Sequence, residues 1–572
     1  MRKHTNYITA AIFTLITTLT FSQVNDTINT GVIDIVKPYA PTISDAFKVK
    51  ETPTLDDQTT ETKKAVQYNI FSVPVASTFT PAKGKAATVE KAKPIKLYDN
   101  YATLGLGSYT TILGEVYLNH ALNRSENIGG YVSHHSSQGD IEGVSFDDGF
   151  SDSKLKVNYT NRSRYLTWNL DGGFRYQTYN WYGVPESQVT VAKTNNIDVG
   201  HAFYDAHVGG DISFDDTYIK SGSLVLRHFG DNQGSGENRI TAKATVDVPI
   251  NREEISTEIK IDYLGGGFDG RTAAIDYANF NIGLSPTYQL KHDYLTLDLG
   301  LSFFYLNDME FNKNKFYVYP NIKASYKLVD ETLIAYGGIT GNLIQNTYRN
   351  FASENNFVSP TLFITPTDQI YNAFVGLKGK ITSNVGYNIG GSYTADKNKA
   401  MYRANVIHNY PYQTDYDYGN SFGIVYDDVK TFGLMGEIQV DLNRNFILGL
   451  KGEYFSYNTD TEAEAWNLPD FKGNLLMDYQ ITEQWFAGAN LYYIGKRKDI
   501  LELEGTAVPT TFTPTTLKAY FDANAHVGYH VNDRLSVFAK ANNIANEAYQ
   551  RWQNFPVQSI QFLAGATYKF DF

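Results

Sequence analysis

Leu295-Thr296-Leu297-Asp298-Leu299-Gly300-Leu301-Ser302-Phe303 alternates an apolar side chain with a polar or small one over nine positions. Successive side chains of a strand point to opposite faces, so this stretch has one oily and one wet face. Leu166, Trp168, Leu170, Phe174 and Tyr176 alternate in the same way with Thr167, Asn169, Asp171, Gly173 and Arg175. Ile255, Thr257, Ile259, Ile261 and Tyr263 do so with Ser256, Glu258, Lys260 and Asp262. The apolar faces end in Tyr, Phe and Trp, whose rings suit a membrane interface.

Turns punctuate these strands in two lengths. Short polar turns fall at 123–126, 162–164, 215–217, 250–252, 291–293, 329–331, 382–384, 442–445, 482–483 and 532–534. Longer stretches rich in Gly, Asn and Asp lie between them, at 108–112, 136–152, 180–196, 230–237, 265–276, 306–315, 342–369, 395–430, 459–464, 496–515 and 546–558. Eleven outer loops and ten inner turns give an all-β fold, a transmembrane antiparallel β-barrel of about 22 strands, with short turns at the periplasmic rim.

Composition agrees with a barrel wall. Aromatics make up 14% of the 572 residues, with 43 Tyr and 34 Phe, yet the mean hydropathy of -0.34 is that of a water-soluble chain. Alternate residues facing lipid and water produce that average. Cysteine is absent, which excludes disulfides, thiolate metal sites and a lipidated N-terminal Cys. The net charge of -12 argues against nucleic acid as a partner.

The chain begins with Arg2 and Lys3, an apolar stretch over 8–21 and small residues Thr20 and Ser22. These are the parts of a secretory signal peptide, 1–22, with the mature chain expected from Gln23. Residues 23–96 read as an extended periplasmic arm with Pro38, Pro41, Pro53, Pro74, Pro81 and Pro94, and 97–572 as the outer-membrane barrel. Between 75 and 96 the arm carries Lys83, Lys85, Lys91, Lys93 and Lys96 against Glu90, a net of +4, whereas 97–572 has a net of -16. Opposite signs favour docking of the arm at the periplasmic mouth, where it would narrow the lumen; a plain linker is the alternative.

The last strand ends Gly565-Ala566-Thr567-Tyr568-Lys569-Phe570-Asp571-Phe572. Tyr568, Phe570 and Phe572 share one face and resemble the terminal aromatic signal read by the outer-membrane insertion machinery. Upstream, Leu535-Ser536-Val537-Phe538-Ala539-Lys540-Ala541-Asn542-Asn543-Ile544-Ala545-Asn546-Glu547-Ala548-Tyr549 is similar to the Asn-Asn-Leu-Phe-Asp-x-x-Tyr ending of TonB-dependent receptors. Trp466-Asn467-Leu468-Pro469-Asp470-Phe471-Lys472-Gly473-Asn474 resembles a late barrel strand of that family. The resemblance implies a receptor-sized barrel with a globular plug, and the arm is too short to fold into a complete one. Val32, Ile33, Asp34, Ile35 and Val36 resemble in character the segment by which such receptors contact TonB; a strand packed on the barrel or a partner is the other reading.

No catalytic constellation assembles, and no cofactor is expected. Gly419-Asn420-Ser421-Phe422-Gly423 matches a nucleophile-elbow pattern but sits in a Tyr- and Asp-rich loop entering a strand. His134 and His135 precede Asp140, Glu142, Asp147 and Asp148, yet adjacent strand residues face opposite ways and cannot easily share one ion. A solvated loop beside lipopolysaccharide accounts for them. Inward Arg175, Glu258 and Lys260 hydrate the lumen or select solutes. Two functions stay open: solute transport through a TonB-dependent-receptor-like barrel, with TonB or a surface lipoprotein lid as partner, or a plugless accessory subunit of an outer-membrane assembly, export or surface-lipoprotein complex.

Overall fold

The computed structural model describes residues 97–572 apart from 251–252, 270–273, 408–412, 444 and 501–512. Among them, 22 antiparallel strands form one sheet that begins with Asn100–Gly107 and ends with Gln561–Phe570. Those two strands pair with each other, from Asn100 with Phe570 to Gly107 with Leu563, so the sheet is a closed barrel. Closure satisfies every edge and makes the wall compatible with lipid.

Register then fixes which face each residue takes. Along the first strand Leu104 and Leu106 stand 62% exposed on the outer face, where the bilayer lies. The inner face carries ion pairs set diagonally across neighbouring strands. Arg175 grips Asp152 through Nε and Nη2 at 2.8 and 2.9 Å, Arg227 meets Asp205 at 2.7 Å, and Arg239 holds Asp262 at 2.8 and 2.6 Å. Bidentate guanidinium–carboxylate pairs are the geometry that best offsets removal of charge from bulk water. An apolar exterior over a charged interior is the pattern of an outer-membrane barrel, and the chain is one.

The periplasmic turns close through side chains that imitate the backbone. Asn123 Oδ1 accepts the N–H groups of Ser125 and Glu126, Asn532 Oδ1 those of Arg534 and Leu535, and Thr482 Oγ1 those of Gln484 and Trp485. Where strands crowd, a ring takes the space a side chain would need. At Gly565, beside the closing seam, an added Cβ would stand 2.5 Å from the Phe538 ring and 2.4 Å from the Leu104 carbonyl oxygen.

The outer loops differ from expectation in extent. Much of 395–430 is strand, because Val385–Ala404 and Phe422–Asn443 pair as far as Ala404 with Phe422. Met401, Tyr402, Ala404 and Phe422 are all buried there. Above the membrane this hairpin meets protein on both faces, so its sequence loses the apolar–polar alternation. The strands Glu253–Asp269 and Ala274–His292 likewise reach into the expected loop at 265–276.

Candidate solute-binding site

Residues 345–366 connect the strands Leu333–Ile344 and Thr367–Thr382 and fold into the outer mouth. They contain helix α2, Tyr348–Glu354, whose N-cap Thr347 accepts the N–H of Asn350 through Oγ1 at 3.0 Å. The barrel wall supplies the next caps. Glu237 accepts the N–H groups of Tyr348 at 2.7 Å and Arg349 at 3.0 Å, and the Tyr277 hydroxyl at 3.3 Å. Tyr348 Oη donates to Asp231 at 2.6 Å, and Arg349 Nε to Asp205 at 2.6 Å.

Asp205, Asp231 and Glu237 all face the lumen from adjacent strands, near their outer ends. Three wall carboxylates thus hold two consecutive loop residues. Apolar contact reinforces the latch. The Tyr348 ring meets Phe229 edge-on at 5.2 Å and Phe203 at 6.1 Å, in a buried cluster that also takes in Leu264, Tyr277, Phe351 and Ile364. Burial drives the Tyr348 hydroxyl far above the usual phenol range, so it is a permanent donor to Asp231.

Two further loops complete the roof. Residues 181–199 include helix α1, Glu186–Asn195, and Trp181 stacks on His201 at 4.1 Å while its carbonyl accepts Asn420 Nδ2 at 3.0 Å. The loop 405–421 is tied down by that bond and by Tyr418 Oη, which accepts from Asn195. His201 Nε2 lies 2.7 Å from the Asn356 carbonyl, which joins this side to the latched loop. On the other side Arg551 Nη2 reaches the Glu354 carbonyl at 3.4 Å, and Trp552 packs on Tyr402 and Phe422. Burial pushes the Glu354 carboxyl above the usual range, against a hydrogen bond from Tyr402 and the charges of Lys472 and Arg551.

Asp499 ties the next loops together. Its Oδ1 accepts the N–H groups of Ala404 and Ile500 at 2.9 Å each, and its Oδ2 the Asn467 amide at 2.7 Å. Complete burial lifts its carboxyl to about 6.

Beneath the roof lies a small cleft of about 80 Å³, open to solvent on one side. Tyr179, Tyr182, Phe357, Trp552 and Phe555 supply aromatic walls, with Asp522, Glu354 and Arg551 at the polar positions. One side of residues 345–366 is therefore fixed to the wall, and the other lines a cavity. A solute seated in the cleft would touch the loop that closes the mouth.

Residues singled out from sequence fall in three groups. Val32 to Val36 and Lys83, Lys85, Lys91, Lys93 and Lys96 lie outside the described residues. Tyr568, Phe570 and Phe572 form a ladder at the end of the last strand, with ring centroids 6.1 Å and then 5.5 Å apart. Arg175 and Lys260 face the lumen as expected, paired with Asp152 and Asp262. His134 binds the hydroxyls of Ser153 and Ser136 on the outer face, whereas His135 faces inward against Phe150. Ser421 donates to the Tyr416 carbonyl and accepts from Asn405, fully buried, which makes it a loop tie. Asp148 likewise accepts the N–H groups of Asp140 and Ile141. Among the described residues no cluster of three or more His, Asp or Glu could hold a metal ion.

The latch residues Asp205, Asp231, Glu237, Tyr348 and Arg349 carry only a weak sequence signal: carboxylates at inward parity near the outer ends of three successive strands.

The sequence matches no protein-family profile and no curated protein. Its structure is similar to the siderophore receptor PirA of Acinetobacter baumannii, at 13% identity and a TM-score of 0.60 over 84% of this chain and 81% of that one. The pyoverdine outer membrane receptor FpvA of Pseudomonas aeruginosa PAO1, bound to pyoverdine, gives 13%, 0.60, 84% and 80%. The ferric-catecholate import receptor Fiu of E. coli K12 gives 11%, 0.59, 82% and 82%. The barrel thus has the fold of outer-membrane siderophore receptors, as the resemblance to TonB-dependent receptors implies.

Proposed function

We infer that this TonB-dependent-receptor-like barrel carries a solute across the outer membrane, and that residues 345–366 are its outer gate. The observation that supports it most is the latch: Asp205, Asp231 and Glu237 hold Tyr348 and Arg349 from the lumenal wall. A few charge-assisted hydrogen bonds at one end of a loop form a two-state contact, which a solute in the adjoining cleft can bias.

The arm completes the pathway on the periplasmic side. Lys83, Lys85, Lys91, Lys93 and Lys96 give 75–96 a net of +4 against -16 for 97–572, which supports docking at the periplasmic mouth, and Val32 to Val36 resemble a TonB-contact segment in sequence character. The roof packed from the chain's own loops takes the place of a partner's lid. The Pro- and Lys-rich composition of 23–96 supports a second reading, an accessory subunit of an outer-membrane assembly, export or surface-lipoprotein complex.

Single-channel recording of the full chain in planar bilayers tests the gate. Replacing residues 347–364 by a short Gly-Ser bridge, with 75–96 also deleted, should turn a nearly silent protein into a wide pore. A parent that already conducts like the double deletion would overturn the gate. Co-purification of a stoichiometric partner after mild detergent extraction would favour the accessory subunit.

A further inference from the structure

The cleft under the roof is lined by three carboxyl groups, Asp148, Glu354 and Asp522, against one guanidinium, Arg551. Asp522 points inward from the strand Tyr520–His530, is 1% exposed, and lines the cleft. Its Oδ2 accepts the Tyr549 hydroxyl at 2.7 Å, while among the described residues its Oδ1 has no hydrogen-bond partner of good geometry. A buried carboxylate oxygen without a partner is costly, and such positions are commonly completed by a ligand.

The other charged groups of the cleft already have hydrogen-bond partners. Asp148 is held by two backbone N–H groups, and Arg551 reaches the Glu354 carbonyl. Around them stand π faces. Tyr182, Phe357 and Phe555 form a triad, with centroids 3.9 Å apart for Phe357 and Phe555, 5.0 Å for Tyr182 and Phe555, and 5.4 Å for Tyr182 and Phe357. Trp552 stands alongside. Aromatic faces beside an excess of carboxyl groups over guanidinium favour cations over anions, through the ring quadrupole and by direct charge.

We propose that the cleft binds a small organic cation, an ammonium-bearing solute with an apolar or aromatic body, with Asp522 as counter-charge and the Tyr182–Phe357–Phe555 triad as its apolar seat. The assignment rests on the cleft being the solute site behind the gate. Because Phe357 belongs to the gate loop, a cation seated on the triad also contacts that loop.

The test is calorimetric titration of the folded full chain in detergent with benzyltrimethylammonium, set against the neutral benzyl alcohol and the anionic phenylacetate. Benzyltrimethylammonium should bind and the other two should not. Asp522→Asn should weaken binding about tenfold or more, the usual worth of a charge-assisted contact. Resistance of the variant to unfolding in cold SDS confirms that its barrel is intact. Absence of binding, equal binding of phenylacetate or benzyl alcohol, or an unchanged affinity in Asp522→Asn would overturn the proposal. Conductance of the loop-deleted barrel is read in simple salt without any organic cation, so failure of the ligand class and failure of the gate give different results.

Discussion

Glu237 and Tyr348, 111 residues apart in sequence, meet as a carboxylate and a helix N–H at 2.7 Å inside the barrel mouth. The wall thereby caps a helix that belongs to a loop. Glu237→Gln replaces one acceptor oxygen by a donor that faces the N–H groups of Tyr348 and Arg349. A loss of about 1.5–3 kcal/mol is expected, concentrated in the loop because the strand ladder is untouched. Hydrogen exchange should quicken across 345–366 and stay unchanged in the strand Ser235–Ile250.

Asp205 is shared between Arg227 of the wall and Arg349 of the loop, at 2.7 and 2.6 Å. Arg349→Ala removes the loop partner and leaves the wall pair. The expected effect is about 1 kcal/mol, since Arg349 is 31% exposed and screened by solvent. It should shrink as salt is raised, and Arg349→Ala should add little in an Asp205→Asn background. A double-mutant cycle read by proteolysis of the loop measures this coupling.

Asp499 makes the roof sensitive to pH. Its carboxyl is lifted to about 6 by burial, above the ordinary value of 3.8. The folded loop layer therefore binds this proton more tightly than the unfolded one. The stability it contributes is fully present below pH about 4 and is lost as pH rises through 6, by about 3 kcal/mol at most. Outer-loop resistance to protease should be higher at pH 4.5 than at pH 7.5 on this account, and Asp499→Asn should flatten the difference. An unchanged pH profile in that variant would assign the effect to other groups.

The closing seam tolerates no added side chain at Gly565, where a Cβ would meet the Leu104 carbonyl oxygen at 2.4 Å. Gly565→Val should abolish the folded barrel, seen as loss of the band that shifts on heating in SDS gels. Gly452→Ala, whose Cβ would find Phe471 at an ordinary 3.7 Å, should fold like the parent.

Tyr568, Phe570 and Phe572 lie next to that seam as a ladder, with Tyr568 and Phe572 exposed and Phe570 half-buried. Replacing Phe570 and Phe572 by Ser should lower the amount of barrel assembled in the outer membrane several-fold in cells. Refolding of the same purified variant into detergent should be little changed. Equal loss in both settings would mean that the rings act in packing rather than in recognition by the insertion machinery.

The barrel was legible because its rules are local. Alternation at 295–303 and the side-chain-capped turn at Asn123 each follow from neighbours within a few residues. Strand count and closure could therefore be reached from the chain alone. The mouth could not, because its contacts join Glu237 to Tyr348, Trp181 to Asn420 and Arg551 to Glu354, across 111, 239 and 197 residues. Tyr348 and Trp552 read as ordinary loop aromatics until the roof brings them beside the wall. Where the hairpin ending at Ala404 and Phe422 leaves the membrane, burial on both sides erases the pattern that marks a strand.

Asn100 and Phe570, 470 positions apart, are hydrogen-bonded neighbours at the seam. The wall consequently has no stable partial form. Without the segment Gln561–Phe570 the wall would be a sheet with two open edges, each a row of unpaired N–H and C=O groups ready to join another chain. Closure rests on those ten residues of sheet, so losing the last strand would cost the whole wall.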